Sequence, residues 1–168
     1  MDSDRELLAK VANKDEAAFE RLYDRFADRV HRYAFTILRD RHLAQEVAQE
    51  TMTAIWKGAA RFAGRSKAST WIFGIARNQA LSLRRKESRT ESVADAGGIE
   101  PDPAARILRQ ERVLEAMNHL PEDQREVVFL TFYEGLPYRQ IAQMLDIPEG
   151  TVKSRMFHAK RRLAEVLT

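Results

Sequence analysis

The chain has 168 residues, no cysteine, 32% charged and 44% hydrophobic residues, and a formal net charge of +3. That length holds one ordinary domain or two small ones, and the lack of cysteine excludes disulfides and thiolate metal sites. No apolar run approaches the roughly 18 residues that read as a membrane span, and the acidic start Met1-Asp2-Ser3-Asp4 lacks the apolar core of a signal peptide, so a cytoplasmic protein is expected.

In chain order the predicted elements are all helices. Residues 15–38 place Phe19, Leu22, Tyr23, Phe26, Val30, Tyr33, Phe35, Ile37 and Leu38 mostly at three- and four-residue steps, one apolar stripe on a long helix. Residues 43–56 repeat this with Leu43, Val47, Met52, Ile55 and Trp56, and Gly58 breaks the pattern. A polar loop from Ala59 to Ser69 precedes a third helix whose apolar residues are Trp71, Ile72, Ile75, Ala76 and Leu83 and whose end carries Arg84, Arg85 and Lys86. Residues 91–103 hold Gly97-Gly98, two prolines and several acids, and read as a flexible linker. The expected domains are therefore 1–90 and 104–168. Beyond the linker, a helix over 104–119 is followed by one opening at Leu120-Pro121-Glu122-Asp123, with Gly135-Leu136-Pro137 as the next break.

Residues 137–163 carry the clearest motif. A helix from Pro137 to Leu145, the turn Asp146-Ile147-Pro148 and a second helix from Glu149 form a helix-turn-helix around Ile141, Leu145, Ile147 and Val152. Asp146 stands where the chain must turn through the left-handed region, which aspartate tolerates better than most residues. The second helix offers Thr151, Lys153, Ser154, Arg155, Phe157, His158, Lys160 and Arg161 to DNA edges and phosphates. Phe157 admits two readings, contact with a thymine methyl or core packing. His158 likewise reads as a phosphate contact or as a solvated side chain.

Charge is distributed in blocks. Lys57 to Arg89 contains nine Lys/Arg and one acid; Gly150 to Arg162 contains five Lys/Arg and no acid; Thr90 to Pro103 between them contains four acids and no base. Two basic stretches joined by an acidic one point to two contacts with one polyanion.

Several runs resemble the extracytoplasmic-function (ECF) sigma factors of bacterial RNA polymerase. In the first half these are Asp15-Glu16-Ala17-Ala18-Phe19, Ala44-Gln45-Glu46-Val47-Ala48-Gln49-Glu50 and Thr70-Trp71-Ile72-Phe73-Gly74-Ile75-Ala76-Arg77-Asn78. In the second half they are Leu120-Pro121-Glu122-Asp123-Gln124-Arg125, Tyr133-Glu134-Gly135 and Pro148-Glu149-Gly150-Thr151-Val152-Lys153-Ser154-Arg155. The resemblance implies an all-α protein of two small helical domains joined by a flexible linker. Its partners would be core RNA polymerase and promoter DNA, and it would need no cofactor and perform no catalysis. It further implies minus-ten contacts from Phe62, Gly64, Arg65, Ser66, Lys67, Asn78, Arg84 and Arg85. The minus-35 element would fall to the second helix of the helix-turn-helix, and polymerase binding to Glu46, Gln49 and Glu50. Trp71 reads as a stacking platform or, from its place on the apolar stripe, as core.

The second helix departs from the family form. Gln45 and His42 stand where acids are usual, so its acidic face is depleted and polymerase binding should weaken. Members of this family are controlled by an anti-sigma factor or, in some cases, by a Ser/Thr kinase. A phosphate on Thr51, beside Glu50, would restore the missing charge; the competing reading makes Thr51 ordinary helix packing. The four histidines are scattered, and no phosphate loop or activated nucleophile appears, so neither a metal site nor an enzyme is expected. A stand-alone helix-turn-helix regulator and a module that sequesters another sigma factor remain as rival readings.

Overall fold

The computed structural model describes residues 2–89 and 108–167, all of whose regular elements are helical. The expected linker, 91–103, and the start of the helix expected over 104–119 lie outside the described residues. The chain divides into two compact units, residues 1–94 and 95–168.

The first unit opens with a helix absent from the expectations above, α1 (Asp4–Ala12). Ser3 caps it by accepting from the Glu6 amide at 3.2 Å, and the Ser3-x-x-Glu6 spacing is that of a capping box. Leu7, Leu8 and Val11 point inward from it. Three ion pairs tie its start down: Asp2 to Lys10 and Arg21, and Asp4 to Arg25 on the next helix. The hydrogen bond from Lys10 holds the Asp2 carboxyl below its usual pKa.

Helix α2 (Glu16–Leu38) begins at the Asp15 cap and ends at Arg39 in the left-handed region, φ 56°. Asp40 then caps α3 (Arg41–Gly58), so the two long helices form a hairpin with a two-residue joint. A 3-10 turn (Ala59–Arg61) follows, and α4 (Ala68–Arg89) begins earlier than composition implied. The intervening loop is thus only 62–67, because Ala59, Ala68 and Thr70 bury their small side chains at its two ends.

The apolar stripe of α4 also sits differently from the expected one. Ile72, Phe73, Ala76 and Ala80 are buried, whereas Trp71, Ile75 and Leu83 are only half-buried. Phe73 fixes this orientation by packing edge-on to Tyr33 and Phe26 of α2, with ring centroids 5.6 and 6.2 Å apart.

The second unit contains α5 (Leu108–Met117), α6 (Glu122–Phe132), α7 (Tyr138–Leu145) and α8 (Glu149–Leu167). Pro121 and Pro137 cap α6 and α7 rather than entering them. Asp146 adopts the expected left-handed conformation, φ 56°, and the Ile147 amide closes the turn onto the Ala142 carbonyl at 3.0 Å. Ile141, Ala142 and Leu145 of α7 and Val152, Met156 and Ala159 of α8 are buried, Met156 with its sulfur 3.7 Å from the Thr131 hydroxyl of α6. Ile147 is half-buried, at the edge of that core.

Candidate nucleic-acid interfaces

The outer face of α8 is built by helical periodicity. Val152, Met156 and Ala159 turn into the core, and this leaves Lys153, Ser154, Phe157, His158, Lys160 and Arg161 exposed. Phe157 is 58% exposed, which decides between its two readings: it is not core. Its ring lies edge-on to His158, 5.5 Å between centroids, and the Arg161 guanidinium lies 5.8 Å from its centre. Ser154, Phe157 and Arg161 thus form one continuous polar, aromatic and cationic stripe.

Two residues placed on that face by sequence sit at its flank. Thr151 is half-buried, and so is Arg155, whose Nε lies 3.5 Å from the Asp123 carboxylate at the start of α6. The local sequence of α8 holds no acid near Arg155, so this counter-charge from a distant helix was invisible to it. The Asp123 carboxylate thus stands beside the Arg155 guanidinium at the flank of the exposed face.

In the first unit, the loop 62–67 is held by an unexpected group. Arg5, from α1, donates through Nη2 to the carbonyl oxygens of Gly64 at 2.6 Å and Ser66 at 3.3 Å. Its guanidinium carbon lies 5.7 Å from the centre of the Phe62 ring. Gly64 has φ +73°, a conformation that favours glycine, and a Cβ there would lie 3.4 Å from Arg5 Nη1. Phe62 also meets Trp71, with ring centroids 5.4 Å apart. Trp71 is therefore neither a free platform nor fully core: it is the half-buried wall behind Phe62. Arg65 and Lys67 are exposed on the loop, and Ser66 is half-buried.

On α4, Asn78 and Arg85 are exposed and lie seven residues apart, two turns along one face; Arg84 is half-buried and turned to the side. Sequence reasoning missed Arg5. The Ser3-x-x-Glu6 capping box ahead of Leu7-Leu8 and Val11 signals the helix that carries it, but not its contact with the loop.

Glu46, Gln49 and Glu50 share the exposed face of α3. With Gln79, Ser82, Leu83 and Lys86 of α4 they line a groove of about 450 Å³. The acidic face expected from sequence is thus one wall of a groove whose other wall is polar and carries a lysine.

Thr51 requires a correction. Its side chain faces away from this groove, has 0% exposure, and its hydroxyl has no hydrogen-bond partner. A kinase cannot reach it in this fold, and the depleted charge of α3 is not restored from that position. Thr51 points inward because Val47 and Ile55, four residues to either side, are core. The packing reading is the correct one.

Among the described residues no helix is long and apolar enough to cross a membrane. Comparison with known proteins matches residues 22–90 to the family described as Sigma-70 region 2 and residues 110–163 to Sigma-70, region 4. The chain is 30% identical to the ECF RNA polymerase sigma factor SigK of Mycobacterium bovis (strain BCG / Pasteur 1173P2), over 96% of this chain and 91% of that protein. It is 32% identical to SigK of Mycobacterium sp. (strain JLS), over 96% and 89%. Among solved structures, the sigma factor RpoE in complex with the anti-sigma factor NepR from Bartonella quintana superposes with a TM-score of 0.75 at 27% identity, covering 89% of this chain and 96% of that one. CnrH in complex with the cytosolic domain of CnrY gives 0.71 at 26% identity, covering 99% and 97%. With helical elements throughout the described residues, both sigma regions in order and relatives matched over most of their length, the chain belongs to the ECF sigma factors, which direct RNA polymerase.

Proposed function

We propose that the chain recognises its promoters through two sites on two independently built units and docks on core polymerase through a third. The α8 stripe of Lys153, Ser154, Phe157, His158 and Arg161 enters the major groove of the minus-35 element, with Thr151 and Arg155 at its edge. The loop 62–67, with Asn78, Arg84 and Arg85, takes up the minus-ten element. Unstacked bases need an aromatic surface, polar edges and phosphate anchors, and Phe62, the loop carbonyls and the exposed Arg65 and Lys67 offer them. Glu46, Gln49 and Glu50 meet basic residues of the polymerase clamp. The polymerase performs the chemistry; this chain binds and positions. An anti-sigma factor is the expected antagonist, as in the complex solved for RpoE with NepR. The reaction takes place inside the cell, where polymerase and promoter are.

The observation that carries the DNA reading is the exposed aromatic–cationic stripe of α8, which no described helix of its unit covers. The test is run-off transcription with core polymerase on a promoter selected from random sequence. Wild type initiates at a defined start, and Glu46→Lys/Glu50→Lys loses core binding while retaining its fold. A chain that binds promoter duplex without polymerase and never supports initiation would instead be a stand-alone regulator.

A further inference from the structure

The loop 62–67 has polar composition, carries Gly64 at positive φ, and belongs to no helix. By itself such a loop samples many conformations, and capturing an unstacked base would require it to be ordered at that moment. Here its order comes from outside. Arg5 bonds the Gly64 and Ser66 carbonyls through one nitrogen and lies over Phe62, joining both halves of the loop to α1. Arg5 is in turn fixed because α1 is capped at Ser3, buries Leu7, Leu8 and Val11, and is paired through Asp4 to α2. A second cation beyond α1 anchors the same end of the unit: Lys14 Nζ donates to the Trp56 carbonyl at 2.7 Å and lies 4.8 Å from that ring. Arg5 also precedes residues 22–90, the stretch matched to region 2.

We infer that Arg5 is a positioning residue for promoter melting: it holds loop 62–67 in the shape that receives the unstacked minus-ten base, without touching the base. The inference rests on the reading of that loop as the minus-ten site. A planar guanidinium suits this role, because the nitrogen that bonds both carbonyls belongs to a flat group that also faces the ring; an ammonium can donate to the carbonyls but has no such face.

The experiment uses holoenzyme reconstituted from core polymerase and the full chain, with Arg5→Ala, Arg5→Lys and Phe62→Ala. Binding of a fluorescent single-stranded minus-ten oligonucleotide is compared with core affinity and with the unfolding midpoint followed by tryptophan fluorescence. The expected result is about tenfold weaker oligonucleotide binding for Arg5→Ala, with core affinity and midpoint close to wild type, as for loss of preorganisation alone. Arg5→Lys recovers only part of the loss. On a template already mismatched across the minus-ten region, Arg5→Ala remains impaired, because capture of the unstacked base is weakened whether or not the duplex is already open. If Phe62→Ala weakens binding and Arg5→Ala stays within about twofold of wild type, the role of Arg5 is overturned while the loop keeps its own. If neither variant weakens binding, the loop reading itself falls and takes this inference with it. A loss in Arg5→Ala matched by lost core affinity or a lowered midpoint also overturns it, since Arg5 would then be serving the fold.

Discussion

The two candidate DNA sites are made in opposite ways. The α8 stripe is one face of a single regular helix: burying Val152, Met156 and Ala159 is enough to present Ser154, Phe157 and Arg161. The loop 62–67 has no such rule of its own. Its carbonyls are held by Arg5, more than fifty residues earlier in the chain, and its aromatic ring is backed by Trp71 of the following helix. A helix face is robust to change of any one exposed residue but fails as a whole if the helix breaks. A latched loop can lose its shape through one remote side chain while the fold around it stands.

Both tryptophans, Trp56 and Trp71, lie in the first unit, so their fluorescence reports that unit separately. The largest expected effect is that of Thr51→Glu. It places a carboxyl in a core with no partner and destabilises the first unit by about 4 kcal/mol, read as a lowered urea midpoint by fluorescence. Duplex minus-35 binding by the second unit should survive at concentrations where the first is unfolded, and loss of both together would break the separation of the two sites. Ser154→Pro comes next. It removes a backbone hydrogen bond inside α8 and costs about 3 kcal/mol, abolishing minus-35 binding in a gel-shift assay while the tryptophan transition stays in place. Arg161→Ala leaves the helix intact and should weaken promoter binding by about 1 kcal/mol and reduce the salt slope by about 1 if it contacts a phosphate; an unchanged slope would remove it from the interface. The smallest effect sharpens the reading of α3. Thr51→Val removes an unpaired buried hydroxyl at nearly constant volume and should stabilise the first unit by about 0.5 kcal/mol, with transcription unchanged.

The legible parts of the fold were those with strong periodicity or marked caps. Helices α2 and α3, the turn at Asp146 and the start of α8 at Glu149 follow the expectations closely. The face of α4 was less legible, because Trp71, Ile75 and Leu83 are as apolar as the residues that are buried. Only the packing of Phe73 against Tyr33 and Phe26 decides which side turns inward. For Thr51, the i±4 core neighbours Val47 and Ile55 did carry the answer, and adjacency to Glu50 along the chain was misleading, since successive helical residues point about 100° apart. Arg155 and Arg5 were illegible for a different reason: the groups they meet, Asp123 and the Gly64 and Ser66 carbonyls, lie far away along the chain.

By itself the sequence determined that this protein is helical throughout its regular elements, that its second half ends in a helix-turn-helix with a basic outer face, and that it resembles the ECF sigma factors. Those properties are written in local periodicity, capping and motif. The tertiary structure alone decided that Thr51 is sealed in the core, that Arg155 is shared with Asp123, and that the loop 62–67 is held by Arg5. Each of these depends on which distant groups are brought within hydrogen-bonding or packing distance, and spacing along the chain does not encode that.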